Sequence, residues 1–167
     1  DIALAGPLSI RKREQLAAHR RELIEAHAAT WWPYTAMHWR VSRGFLEAVT
    51  GSLEQLQQVG GELFAREPIT DVTVHLDDPE DVGTLLKAPW FPRIRHLVLR
   101  GEVYDDGFAT LVKSKRAANL RGLNVSAREL TADGLGALTP GLPACTHLVL
   151  TGNGFGDEGA GALARWK

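Results

Sequence analysis

One cysteine, Cys145, stands in 167 residues. That rules out an internal disulfide or a cysteine-based zinc cluster and favours a reducing compartment over secretion. Read alone, Cys145 is a small buried apolar residue. No apolar run approaches the roughly 18 residues of a membrane span, and the first ten residues lack the basic, apolar and small-residue regions of a signal peptide. The expectation is a soluble, cytoplasmic protein. The chain opens on Asp1 instead of methionine, which we read as trimming. Charge of one sign is lacking too: 19 basic and 20 acidic residues give a net charge of -1, so no global field would recruit nucleic acid or an anionic membrane. Apolar residues at 44% and charged residues at 23% place the chain among ordinary folded proteins.

What the chain does have is an internal repeat, the first feature to seek because it decides the whole fold. His96-Leu97-Val98-Leu99-Arg100-Gly101 recurs 51 residues later as His147-Leu148-Val149-Leu150-Thr151-Gly152. Pro89, Pro92, Phe91 and Asp106 have counterparts in Pro140, Pro143, Leu142 and Asp157 at that offset. Half the offset brings in a middle copy, Leu120, Leu123 and Val125, between Ile94, Leu97, Leu99 and Cys145, Leu148, Leu150. An earlier copy is Ile69, Val72 and Val74. The central positions 72, 97, 123 and 148 are spaced by 25, 26 and 25 residues. Gly83, Gly107, Gly134 and Gly159 follow them at 10 or 11 residues, and Leu111, Leu138 and Leu163 lie four residues after the last three glycines.

Each unit therefore predicts a short strand, a turn and a short helix. Asp81, Asp106, Asp133 and Glu158 lie near the helix starts, where an acid favours the positive helix end. Proline-containing loops at 88–92 and 138–143 end two of the helices. A lone unit cannot bury its apolar side, whereas stacked units share a core. Strand alternation then points Leu97 and Leu99 inward. It turns twelve residues to an open, concave face: Asp71, Thr73 and His75, then His96, Val98 and Arg100, then Gly122, Asn124 and Ser126, then His147, Val149 and Thr151.

Upstream, Ser9 can cap a helix running to about Ala28, with Leu16, Leu23, Ile24 and His27 at helical spacings. Trp31, Trp32, Tyr34 and Trp39 are read as packing this helix onto the first strand. Phe45, Glu47 and Val49 alternate as a strand, and Ser52 opens a helix with Leu53, Leu56, Val59, Leu63 and Phe64 on one stripe. Residues 1–43 are a helical segment and linker; 44–167 are the repeat array, with 44–68 as its N-terminal cap unit.

Catalytic and cofactor chemistry has little footing. His75 and Ser126 share a column but lie two strands apart, about 9.6 Å at ordinary strand spacing, too far for a nucleophile and its base. His96 and His147 are likewise too far apart for one metal ion, while Asp71 can pair with His96 on the next strand. Thr151-Gly152-Asn153-Gly154-Phe155-Gly156 lacks the lysine and hydroxyl of a phosphate loop and reads as the turn of the repeat. Arg11-Lys12-Arg13 and Arg20-Arg21 are interleaved with Glu14, Glu22 and Glu25, the mark of a solvated face.

The final unit, Leu148, Leu150, Asn153, Phe155 and Gly156 to Leu163, resembles bacterial leucine-rich repeats of the longer, ribonuclease-inhibitor-like form. In two other units Glu102 and Arg128 occupy the asparagine position of that pattern. Residues 20–27, Trp31-Trp32 and 39–49 resemble the linker of repeat-companion proteins, with most of the small companion domain missing. The resemblance implies an α/β leucine-rich-repeat solenoid: a curved parallel sheet of about five strands, short helices on its convex side and an N-terminal helical cap. It implies a protein partner; from the composition and residue placement above, no enzyme activity, cofactor, metal, nucleic acid or membrane is expected. The binding residues expected are His75, His96, Val98, Arg100, Asn124, His147 and Val149. Regulation of a nucleotide hydrolase and a purely structural spacer are the alternatives. The last helix, with Ala160, Leu163, Ala164 and Trp166, lacks a polar cap. We expect a fragment of a longer array, or an open end covered by Trp166 or by self-association.

Overall fold

A computed structural model describes residues 9–31, 37–42, 44–126, 129–138 and 141–166. The chain divides into two compact units, Asp1–Thr35 and Ala36–Lys167. The first contains helix α1, Ile10–Trp31, rich in the alanine, leucine, glutamate and arginine that lose little entropy in a helix. Ser9 Oγ accepts from the Lys12 amide at 3.4 Å. The helix runs three residues beyond the expected Ala28, and Leu16 and Leu23 are exposed on it. The side chains of Ile24, His27 and Trp31, and all of Trp32 and Tyr34, fall outside the described residues, so the packing expected of those three aromatics lies there too; Trp39 is described and is half-buried. No helix among the described residues is long and apolar enough to cross a membrane.

The second unit is an α/β array around one open six-stranded sheet whose spatial order is the chain order. Its strands are β1 (His38–Ser42), β2 (Phe45–Ser52), β3 (Asp71–Leu76), β4 (His96–Gly101), β5 (Gly122–Asn124) and β6 (His147–Val149). Five helices accompany them: α2 (Leu53–Arg66), α3 (Asp81–Lys87), α4 (Tyr104–Lys113), α5 (Ala132–Gly136) and α6 (Gly156–Arg165). From β2 to β6 every pairing is parallel. β1, expected to be linker, is antiparallel to β2, which corrects the all-parallel expectation to a mixed sheet. The reason is a hairpin: Ser42 pairs with Phe45 across Gly44, whose φ of +89° suits a tight turn.

This hairpin also overturns the alternation read at Phe45, Glu47 and Val49. The register slips between Arg40 and Val41, so that Arg40 opposes Ala48 and Val41 opposes Leu46, with Glu47 as the extra residue of a bulge. Phe45 is thereby turned out, while Leu46 and Val49 are buried.

Helix α2 starts on a complete capping box, Ser52 and Gln55 each serving the other's amide. Leu53, Leu56, Leu63 and Phe64 are buried along it; Val59 is half-buried, and buried Gly60 takes its place. The Trp90 indole lies against Gly60 and stacks on Phe64 with centroids 4.5 Å apart. The next helices bury Val82, Leu85 and Leu86 on α3, Phe108, Leu111 and Val112 on α4, and Leu135 on α5. The inner row of the sheet, Val49, Val72, Leu97, Leu123 and Leu148, is in direct register. Burial is complete from Val72 to Leu123 and falls to half at Leu148 and Leu150. Trp166 is half-buried, its indole N–H donating to the Gly141 carbonyl at 3.2 Å.

Candidate functional site on the open sheet face

With the apolar row turned to the core, the alternate residues of the same strands form two continuous rows on the other face. One runs Arg40, Ala48, Asp71, His96, Gly122, His147; the other runs His38, Thr50, Thr73, Val98, Asn124, Val149. A shorter third row sets Ser52, His75 and Arg100 side by side. The seven residues expected to bind a partner thus all stand on this face, where His75, His96, Arg100, His147 and Val149 are exposed and Val98 and Asn124 half-buried.

Asp71 organises the first row. Its Oδ2 accepts from Arg40 Nη2 at 2.6 Å, and its Oδ1 accepts from Thr70 Oγ1 at 3.2 Å and lies 2.8 Å from His96 Nδ1. A carboxylate is acceptor-only, so the proton of that last bond belongs to Nδ1. The imidazole leans over β5, where a Cβ on Gly122 would come within 2.7 Å of His96 Cδ2. Glycine there keeps the ring in place. With Arg40 63% and His96 53% exposed, the pairs contribute about 0–1 kcal/mol each and serve to fix geometry more than stability.

His38 and Arg40 were absent from the expected site because the stretch holding them read as linker. The alternation His38-Trp39-Arg40-Val41 was the available signal, and the hairpin turn after it supplies the missing strand. With β2 to β4 they form a groove of about 320 Å³, lined by His38, Arg40, Thr50, Thr73, His96 and Val98 and floored by Asp71. Further along the face, Asn124 Oδ1 accepts from the Ser126 amide at 3.0 Å, and His147 Nδ1 lies 2.9 Å from Thr146 Oγ1.

The face does not assemble a reactive pair from the residues weighed for one. β4 separates His75 from Ser126, and β5 separates His96 from His147. Among the described residues no group of three histidine, cysteine or acidic side chains is placed to hold a metal ion. A second hollow of about 380 Å³ lies between α4 and α5 and includes Asp105, Asp106, Lys113 and Asp133. Its Asp105 is committed to structure, accepting from the Thr131 amide at 2.9 Å and the Thr131 hydroxyl at 2.5 Å.

Cys145 is half-buried beside β6, not fully buried as expected. Its thiol donates to the His147 carbonyl at 3.4 Å. Burial pushes the thiol pKa up, with backbone hydrogen bonding at His147 and Leu123 pulling partly the other way. A raised thiol pKa means less thiolate at a given pH. Cys145 is therefore expected to react with Ellman's reagent at pH 8 several-fold more slowly than free cysteine, and at the free rate once denaturant is added. Equal rates in the folded and unfolded chain would show that burial does not protect it. No family model matches the chain, and no curated protein matches it.

Proposed function

We propose that this chain is a leucine-rich-repeat solenoid of the ribonuclease-inhibitor-like, repeat-companion kind, and that it binds a protein partner on the open face of its sheet without catalysing a reaction. The observation that carries this reading is the coincidence of the sequence period with the strand register. Positions 72, 97, 123 and 148 are both the repeat's centres and direct neighbours across four strands. A repeat built that way spends one side of each strand on the core and leaves the other as a continuous, preformed surface. A rigid surface loses little entropy on docking. The exposed polar and charged side chains His75, His96, Arg100 and His147, with Val98, Asn124 and Val149 between them, are the binding set. A cytoplasmic setting belongs to the same proposal, supported by the single free thiol.

The test compares partner capture by the whole chain and by two folded variants. Val98→Asp with Arg100→Glu alters the sheet face; Lys113→Glu alters an exposed position on α4. Capture by the face variant is expected to fall by a factor of ten or more, because an uncompensated charge is placed at the centre of the contact. Capture by the helix variant should stay within twofold. Undiminished capture by the face variant, with circular dichroism unchanged, would move the site elsewhere.

A further inference from the structure

We propose that the open face receives an acidic protein segment, with a carboxylate of that segment seated between His75 and Arg100; this rests on the sheet-face reading above. With histidine counted neutral the chain carries a net charge of -1 and its six strands hold two arginines against two acids, so what the open face has in excess is histidine. Two of its arginines and four of its six histidines, His38, His75, His96 and His147, stand on the open face. Of the acids, the six strands contain only Asp71 and Glu47. Glu47 is the bulge residue and is already bonded. Asp71 is spent on Arg40, His96 and Thr70. No acid of the sheet remains to answer Arg100.

Arg100 and His75 are direct cross-strand partners, both exposed, and among the described residues neither side chain makes a hydrogen bond or ion pair. Two basic groups placed opposite each other repel when both are charged. A carboxylate between them removes that repulsion and can take a two-pronged hydrogen bond from the guanidinium. Along β4 the side chains of His96, Val98 and Arg100 share one face over about 13 Å, the length of a few extended residues. Half-buried Val98 and exposed Val149 offer apolar contact beside the charged positions. An acidic segment with an aliphatic residue among its carboxylates matches this order. A nucleic acid matches it less well: affinity for a phosphate chain comes from many permanent cations, and the six strands hold no lysine.

The whole chain would be titrated into a short fluorescein-labelled peptide of alternating glutamate and valine, and into its lysine counterpart, with fluorescence anisotropy as readout. The glutamate peptide is expected to bind, and to bind more weakly as salt rises; the lysine peptide is not. Arg100→Glu should reduce the affinity at least tenfold, while Lys113→Glu, the same charge change on the helix side, should alter it less than twofold. Failure of the glutamate peptide to bind, or equal losses in the two variants, would overturn the proposal. So would tighter, Arg100-dependent binding of oligodeoxythymidine, which would assign the face to nucleic acid. A peptide selected from a random library that loses binding on Val98→Asp but carries no acidic excess would overturn the acidic preference and leave the sheet-face reading standing. If no library peptide depends on Val98, both fall.

Discussion

Gly101→Ala is expected to lower the unfolding free energy by about 3 kcal/mol, a loss set by the left-handed backbone and by a backbone clash that no side-chain rotation relieves. Gly101 ends β4 with φ of +86°, and a Cβ built on it runs into the carbonyl oxygen of Leu76 at the end of β3. That carbonyl accepts from the Glu102 amide at 3.0 Å, so the two strand ends cannot part without losing a hydrogen bond. Urea denaturation gives the measurement. Gly61→Ala is the natural control. Its Cβ would meet nothing within 4 Å inside α2, and alanine there should stabilise by about 0.5–1 kcal/mol. Matching values for the two variants would refute the assignment of strain to Gly101.

Asn153→Ala should cost about 2–3 kcal/mol, because three part-buried hydrogen bonds would be lost together. Its Nδ2 donates to the Val125 carbonyl at 2.9 Å and the Leu150 carbonyl at 2.8 Å, and its Oδ1 accepts from the Leu130 amide at 3.1 Å. One side chain thus joins the loop after β5 to the turn after β6. Asn153→Asp keeps the acceptor for Leu130 but sets a carboxylate oxygen against the two carbonyl oxygens, so it should be no more stable than Asn153→Ala. Amide exchange localises the effect: the Leu130 amide should lose protection in Asn153→Ala and keep most of it in Asn153→Asp. Wild-type stability in Asn153→Ala would show the bonds to be replaceable by water.

Much of the sheet was readable because its strands obey a period. Ile94, Leu97 and Leu99 and their counterparts mark strand and inward face together, and β3 to β6 lie on those marks. The repeated glycines are also explained: at Gly107, Gly134 and Gly159 a Cβ would crowd Val82, Asp105 and Phe155. Gly83 has open space around its would-be Cβ, so the pattern there has no steric basis. β1 and the bulge lie outside the 25-residue repeat, since an antiparallel hairpin breaks that period and the bulge breaks the parity of β2, so only the short alternation at 38–41 marked the strand. The candidate site was incomplete for the same reason, lacking His38 and Arg40. The asparagine position is uneven as well. Asn153 joins two loops through its side-chain bonds, whereas Glu102 presents its backbone amide to the neighbouring strand and its side chain to the Tyr104 hydroxyl, raising that pKa. Arg128 lies outside the described residues. Tyr104 and Glu129, with φ of 44° and 55°, adopt a backbone their residue types rarely take, and the sequence offers no cue for either.

The matching of spatial order to chain order has a kinetic meaning. Each parallel pairing closes a connection of about one period, and none waits on a distant part of the chain. Closure entropy grows only with the logarithm of loop length, so successive closures cost nearly the same and each is rewarded at once by burial. A sheet assembled from such short excursions does not face the slow search that non-local strand pairing imposes. Folding can begin at β3 and β4, which share the longest parallel ladder and a fully buried interior, and add one strand and helix at a time. The inner side of β6 is half-buried, so this strand is held less firmly than β3 to β5 and is expected to open before them.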